Sequence, residues 1–175
     1  MLFRSGTTCI QLGKGFGAKV IATDSPDARC QICRDLGADR VIDYKAEDFV
    51  EAVRAEGGAN VILDIVGGAN IEKNIKAASP DGRIIQLAFA AGSKVEINLM
   101  PVMLKRLVYT GSTLRTRPVP FKTRVARELE EKVWPLIGTG KIRVVTGKTF
   151  ALAEAAAAHA LMESAAHTGK ILLTV

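Results

Sequence analysis

The sequence predicts an α/β fold organised around an open, doubly wound parallel sheet. Short apolar strands alternate with helical segments through the first half of its 175 residues. Residues 20–22 and 60–64 are nearly continuous apolar runs, as expected for strands buried on both faces, and an acid stands near the end of each run. Glycines end the helical segments, at Gly17, Gly37 and Gly57. This alternation indicates right-handed βαβ crossovers.

Each element has its own local signal. A helix ending at Gly17 precedes the strand 20–22, and Ser25-Pro26-Asp27 starts the next helix with proline in its first turn. Strand 41–42, an acid-led helix from Glu47 and strand 60–64 follow. The remaining elements are predicted as helix 71–78, turn 80–82, strand 83–87, an excursion over 95–104, strand 108–112, helix 121–136, segment 144–150, helix 153–163 and segment 171–175.

The composition is that of a soluble globular chain, with 48% apolar and 24% charged residues. The uncharged runs are too short to cross a membrane, so no membrane partner is expected. The net charge is +6, but lysines and arginines are scattered apart from one cluster at 115–127, which argues against nucleic acid. The positive charge instead favours binding of a phosphate-bearing cofactor.

The cysteines and histidines do not predict a metal site. Three cysteines are too few for a disulfide framework, which favours a reducing, cytoplasmic location. Cys30 and Cys33 have the spacing of a redox or metal pair, but no second pair follows at zinc-finger spacing, so packing within a helix is favoured. His159 and His167 also lack partners at ligand spacing.

The stretch from Gly6 to Asp24 indicates the second half of a nucleotide-binding βαβ unit. Gly6 and Thr7 begin a helix, where backbone N–H groups can bind a pyrophosphate, although Gly6 can also be an ordinary turn glycine. A phosphate-binding loop of this kind follows a hydrophobic strand, and the sequence before Gly6 contains no such strand. We therefore expect the sheet to lack its first strand and the chain to be truncated at its start.

Six segments occur in the order typical of one protein family. They resemble the zinc-independent NAD(P)H:quinone oxidoreductases of the medium-chain dehydrogenase/reductase superfamily, although Arg4 and Ser5 stand where that family has Gly and Val. The segments are Gly6-Thr-Thr-x-Ile-Gln-Leu, Leu36-Gly-Ala-Asp-Arg-Val-Ile-Asp-Tyr44, Val61-Ile-Leu-Asp-Ile-Val-Gly-Gly68, Pro80-Asp-Gly-Arg83, Gly111-Ser-Thr-Leu-Arg115 and Gly169-Lys-Ile-Leu-Leu173.

The resemblance implies a partial Rossmann dinucleotide-binding domain in residues 1–118. It assigns residues 119–175 to a C-terminal helix and return segment that complete a catalytic domain. It further implies hydride transfer from NADPH, with NADH possible, to a quinone or related enone, and a homodimer when the protein is intact. No catalytic residue can be assigned, and the fragment is expected to be inactive alone.

The resemblance places the adenosine ribose beside Asp24, Ser25 and Arg29. Arg29 can bind the 2′-phosphate of NADPH bidentately, whereas an acid in the position of Asp24 holds the free 2′-hydroxyl in NAD-preferring relatives. Asp24 can instead cap the following helix, and all three can be ordinary surface residues. Tyr44 matches a tyrosine that borders the 2′-phosphate in the family, or it is a core tyrosine with a surface hydroxyl.

The other candidate residues lie nearer the nicotinamide and the substrate. Asp64 and the turn 66–68 end a strand at the crevice side of the sheet, where such folds bind ligands. The resemblance places the backbone around Phe89 against the nicotinamide carboxamide, although Phe89 can simply pack. It also places Arg115 and Arg117 near the substrate pocket, although a surface loop commonly carries solvated arginines.

Two other functions remain open. One is a zinc-dependent alcohol dehydrogenase of the same superfamily, with its metal ligands in a region upstream of this sequence. The other is a non-catalytic subunit that binds NADPH and senses redox state.

Overall fold

The computed structural model describes residues 5–164 and 166–175. The chain forms two compact units: one combines the residues up to Asp43 with Arg124–Val175, and the other is Tyr44–Thr123. The division into residues 1–118 and 119–175 stays a prediction. Arg4, where the sequence departs from the family, lies outside the described residues.

Helices and strands alternate along the chain. The helices are Ser5–Gly15 (α1), Asp27–Asp35 (α2), Phe49–Ala55 (α3), Asn70–Ala77 (α4), Met100–Leu104 (α5), Val119–Lys132 (α6), Trp134–Gly138 (α7) and Ala155–Glu163 (α8), with a 3-10 turn at Leu152–Glu154. The strands are Ile21–Asp24 (β1), Arg40–Asp43 (β2), Ala59–Asp64 (β3), Ala78–Gln86 (β4), Val108–Gly111 (β5), Thr146–Ala151 (β6) and Lys170–Thr174 (β7).

The strands pair in parallel, which confirms the predicted α/β class. β1 pairs with β2 and β6 with β7, and the three strands of the second unit lie in the order β3-β4-β5. The first strand, which the sequence is expected to lack, is central in a Rossmann sheet and would lie between β1 and β3, so each of these is expected to have an open edge. Within the described residues, each of these two strands has a partner on one side only.

The first unit packs α1 and α2 against β1 and β2. Ile10, Cys33 and Leu36 are buried together, with Val20 and Val41 packed against them. Cys30 and Cys33 are fully buried on α2, which confirms that they pack rather than face solvent. Burial raises the pKa of the Cys33 thiol to about 12, so this sulfur stays protonated at neutral pH.

A glutamine joins α1 to the C-terminal part of the first unit. The Gln11 side chain is buried, and its Nε2 donates to the Arg143 carbonyl at 3.1 Å. The Arg143 N–H donates in return to Gln11 Oε1 at 2.8 Å. Two main-chain groups far away in sequence are thereby satisfied by one side chain, as buried polar groups require.

The second unit covers only one face of its sheet. α4 places Ile71 and Ile75 on Ile84 of β4, and all three are buried. On the other face, Val61 of β3 and Val108 of β5 are 59% and 49% exposed. The latter two residues align across Arg83 in the register, so they belong to one face of the sheet.

Two predicted elements are wrong in detail. The helix predicted over 121–136 is two helices, because Val133 interrupts α6 and Pro135 begins the following short helix. The turn predicted at 80–82 lies inside β4, where Asp81 adopts a φ of 60°. The Asp81 carboxylate accepts two hydrogen bonds of 2.7 Å from Arg106, which hold this irregular residue in place.

Among the described residues, no helix has the length and apolar content to span a bilayer.

Lys105 closes the C-terminal end of α4. Its ammonium donates to the carbonyls of Ile75, Lys76 and Ala78 at 3.2, 2.8 and 2.7 Å. A helix leaves its last carbonyls without helical partners, and a cation there satisfies them and opposes the helix dipole. Burial lowers the pKa of Lys105.

We expect Lys105→Met to destabilise the chain by about 2–3 kcal/mol, because it removes a charged donor from these carbonyls. Urea unfolding would measure this change. Lys76→Met is the matched control, since the Lys76 side chain is on the surface of α4 and pairs with Glu72 at 2.9 Å. It should change stability by less than about 0.5 kcal/mol. Equal effects of the two substitutions would show that the Lys105 contacts contribute nothing.

Candidate functional site

The candidate phosphate-binding residues begin α1. Gly6 lies in its first turn, and Thr7 beside it is buried, with its carbonyl accepting from Gln11 Nε2 at 3.0 Å. Rossmann-like folds hold the cofactor phosphates at a helix N-terminus, which is the role that the sequence analysis predicts for Gly6. The structure places Gly6 in α1, whose described residues begin at Ser5, and anion binding there stays a prediction.

Asp24 ends β1 and Ser25 follows it, and both are buried. Asp24 Oδ1 accepts from the Ser25 N–H at 2.7 Å, and the Asp24 carbonyl accepts from the Cys30 thiol at 3.4 Å. The N-cap of α2 is Pro26, which makes no side-chain hydrogen bond. The Asp24 carboxylate is turned inward and held by the Ser25 N–H just before α2, and its role as a cap stays a prediction.

Arg29 occupies the first turn of α2 and is half-buried. It shares the first unit with Gly6 and Asp24. Its position after β1 is the place where Rossmann-like folds hold the adenosine ribose. The structure therefore leaves Arg29, rather than buried Asp24, as the more accessible charged group after this strand.

In the second unit, Asp64 anchors the loop that follows β3. Its carboxylate accepts from the N–H groups of Val66 and Gly67 at 2.6 and 3.2 Å. Asn74 of α4 adds a hydrogen bond of 3.0 Å to Oδ2. Asp64 is buried, so these donors replace the water that would otherwise solvate its charge. Its role within the chain is to fix the shape of this loop.

The loops after β3 and β4 are joined by four main-chain hydrogen bonds. Leu87 N–H donates to Asp64 O at 2.8 Å, Ala90 to Ile65 at 3.2 Å, Ala91 to Val66 at 2.7 Å and Gly68 to Gly92 at 2.9 Å. Phe89 remains 46% exposed beside them. These loops follow the carboxyl ends of parallel strands, which is where open α/β sheets bind ligands.

Gln86 and Tyr109 extend this polar network, and the sequence did not predict either. Gln86 Nε2 donates to Ala88 O at 2.6 Å and to Asp64 O at 3.2 Å, and the Tyr109 hydroxyl donates to Gln86 Oε1 at 2.7 Å. Asn74 was missed as well. The available signal was a glutamine directly after the apolar pair Ile84-Ile85 in β4, because a buried amide needs partners.

The remaining predicted residues of the second unit lie at its surface. Tyr44 is 48% exposed, so the interpretation as a core tyrosine is not supported. Arg117 stacks on Phe121, with its guanidinium carbon 4.9 Å from the ring centre. Arg115 is exposed, and its carbonyl accepts from Lys122 Nζ at 3.0 Å.

None of the predicted site residues lines the open groove of about 730 Å³ in the first unit, which lies between α2 and the segments 143–148 and 166–168. Volume alone does not identify a site, and we favour the crevice end of the sheet because of its satisfied polar network and accessible loops. In residues 5–164 and 166–175, no cluster of three or more histidine, cysteine or acidic side chains is placed to hold a metal ion.

Gly67, like its neighbour Gly68, is a position at which the joined loops leave no space for a side chain. Its φ is +67°, and an added Cβ would lie 2.7 Å from the Phe89 ring and 2.9 Å from the Gly92 carbonyl. We expect Gly67→Ala to cost about 2–4 kcal/mol in urea unfolding, from backbone strain and overpacking. Gly140→Ala isolates the strain, because Gly140 has a φ of +72° and open space around it. If both changes cost about 1 kcal/mol, the close packing of the loops is wrong.

Comparisons with known proteins agree with this architecture. The family described as zinc-binding dehydrogenase matches residues 36–173. The quinone oxidoreductase of Salmonella typhimurium is 31% identical over 177 residues, covering 96% of this chain and 53% of that protein.

Solved structures extend the match to the fold. The quinone oxidoreductase of Thermus thermophilus, solved also with NADPH, superposes with a TM-score of 0.84 at 26% identity, covering 97% of this chain and 54% of the other. An NAD-dependent alcohol dehydrogenase gives a TM-score of 0.81 at 30% identity, with 97% and 48% covered. The chain thus spans about half the length of these proteins, and 8% of the much longer mycobacterial polyketide synthases that also match.

Proposed function

The chain belongs to the zinc-binding dehydrogenase family, and from that premise we propose that it serves an oxidoreductase that transfers hydride from NADPH to a quinone or a related enone. The observation that carries the proposal is the pair of joined loops after β3 and β4, with exposed Phe89 beside them. Backbone groups at this end of a parallel sheet can orient a nicotinamide, which itself carries the hydride.

We assign the two halves of the cofactor to different residues. In the first unit, we assign Gly6, Thr7, Ser25 and Arg29 to the adenosine half. The Asp64 loop and the Phe89 loop contact the nicotinamide half. Arg115 and Arg117 contact the acceptor. Asp24 faces inward in the chain, so its influence on the ribose is weak, and NADPH is preferred while NADH is accepted.

Cofactor binding and hydride transfer are tested in separate experiments. Calorimetric titration of the purified chain with NADPH and NADH measures binding. The loss of NADPH absorbance with 1,4-benzoquinone, in the longest polypeptide that the gene encodes, measures hydride transfer. Quinone-dependent oxidation that withstands EDTA is the expected result. Tight NADPH binding with no oxidation by any quinone or enone would favour a redox-sensing subunit instead.

A zinc-dependent alcohol dehydrogenase is the second candidate, favoured by the structural match to an enzyme of that kind. Its activity would appear as alcohol-dependent reduction of NAD⁺ or NADP⁺ that EDTA abolishes and zinc restores.

We further propose a cytoplasmic homodimer that pairs through the open edge of β5. Among the described strands, β5 lies at the edge of its sheet.

A further inference from the structure

Gln86 lies where the two candidate nicotinamide loops begin. It is the last residue of β4, the central strand of its sheet, and it is 4% exposed. Its amide nitrogen donates both to Asp64 O, at the end of β3, and to Ala88 O, within the loop after β4. One side chain therefore sets the separation of the two loops at their origin.

The orientation of this amide follows from its surroundings. Two carbonyl oxygens face one end of the Gln86 side chain, so the nitrogen must lie there and the oxygen must point away. The Tyr109 hydroxyl then has to donate to that oxygen, at 2.7 Å. The chain Tyr109–Gln86–Ala88 thus has a single consistent direction of donors and acceptors.

Tyr109 is a suitable donor over a wide pH range. It belongs to β5, so the contact also ties the edge strand to the loop after β4. Burial of the hydroxyl, together with the nearby charge of Asp64, raises the pKa of Tyr109. The phenol therefore keeps its proton at neutral pH and well above it.

We propose that Tyr109 and Gln86 are positioning residues, which hold the Leu87–Phe89 backbone in place for the nicotinamide half of the cofactor. The inference rests on the proposed function. It predicts a selective effect, because the network lies under the nicotinamide loops and includes none of the residues assigned to the phosphate and ribose of the first unit. Loss of the hydroxyl loosens the Ala88 carbonyl without removing any group that contacts adenosine.

The experiment compares two ligands on the purified 175-residue chain. NADPH contains both halves of the cofactor, whereas 2′,5′-ADP contains only the adenosine half and the 2′-phosphate. Tyr109→Phe should weaken NADPH binding about threefold to tenfold, the amount that one neutral hydrogen bond provides, and leave 2′,5′-ADP binding unchanged. Thr110→Val is the matched control, since it also removes a hydroxyl from β5, one that donates to the Gly111 carbonyl at 3.4 Å and not to Gln86.

A double-mutant cycle shows whether the two residues act together. Gln86→Met should weaken NADPH more than Tyr109→Phe, and adding Tyr109→Phe to it should have no further effect. If Gln86→Met fails to fold, Tyr109→Phe alone decides the question. Thr110→Val should not change the ratio of the NADPH and 2′,5′-ADP affinities.

The outcomes separate this inference from the function on which it rests. If the unchanged chain binds neither ligand, the proposed function and the inference both fail. If it binds both, and Tyr109→Phe weakens them equally or leaves both unchanged, the positioning role is overturned while the proposed function stands.

Discussion

Arg29→Ala should weaken NADPH binding about tenfold to a hundredfold while changing NADH binding by no more than about threefold. The proposed contact is a charge-assisted hydrogen bond to the 2′-phosphate, worth about 1.5–3 kcal/mol. A planar guanidinium can bind two phosphate oxygens at once, and NADH offers a neutral hydroxyl at the same place. Arg29 is half-buried in the first turn of α2, immediately after β1, where the ribose is expected.

The inward orientation of Asp24 is the reason why we expect a clear preference for NADPH over NADH. A carboxylate exposed at the end of β1 would repel the 2′-phosphate and accept from a ribose hydroxyl. Asp24 is fully buried instead, and its Oδ1 is occupied by the Ser25 N–H at 2.7 Å. It therefore cannot hold NADH without a rearrangement of the strand end.

A control on the same helix separates the phosphate contact from the general loss of positive charge. Arg34 also lies on α2 but pairs with Asp27 at 3.2 Å and is exposed. Arg34→Ala should leave the affinities for both cofactors unchanged. Calorimetry with NADPH, NADH and each variant gives all the required affinities. Equal weakening of both cofactors by Arg29→Ala would exclude a role in recognising the 2′-phosphate.

The order of strands and helices could be predicted because each carries its signal locally. Apolar runs, a proline after Ser25 and closing glycines place β1 and α2 without reference to any distant residue. Where a distant contact decides, the prediction fails. The irregular residue Asp81 is held inside β4 by Arg106, and nothing near Asp81 in the sequence indicates that partner.

The candidate site likewise contains residues that the sequence could predict and contacts that it could not. Asp64 and the glycines after it could be predicted, because an acid and a turn at a strand end mark the crevice side of a parallel sheet. The contact between Gln86 and Tyr109 could not, since it depends on the register between two strands that are 23 residues apart at this point. For Asp24 the sequence left two orientations open, toward the ribose or toward the following helix start, and the hydrogen bond from Ser25 N–H favours the second.

A proline at Gly111 should weaken the proposed dimer roughly thirty- to a hundredfold, without unfolding the sheet. β5 lies at an open sheet edge, and an apolar edge strand favours pairing with another strand. A two-fold interface loses each hydrogen bond twice, so two bonds of about 1–1.5 kcal/mol give this range.

The position of the proline decides what it disrupts. Ser112 N–H donates to Gln86 O at 3.0 Å, and alternate residues of a parallel strand point the same way, so Thr110 also faces β4. Gly111 therefore faces the open edge, and Thr110→Pro is the contrasting variant, since it removes a bond inside the sheet. We expect sedimentation at low micromolar concentration to show a monomeric, folded Gly111→Pro chain and a destabilised Thr110→Pro chain. A Gly111→Pro chain that stays fully dimeric would place the interface elsewhere.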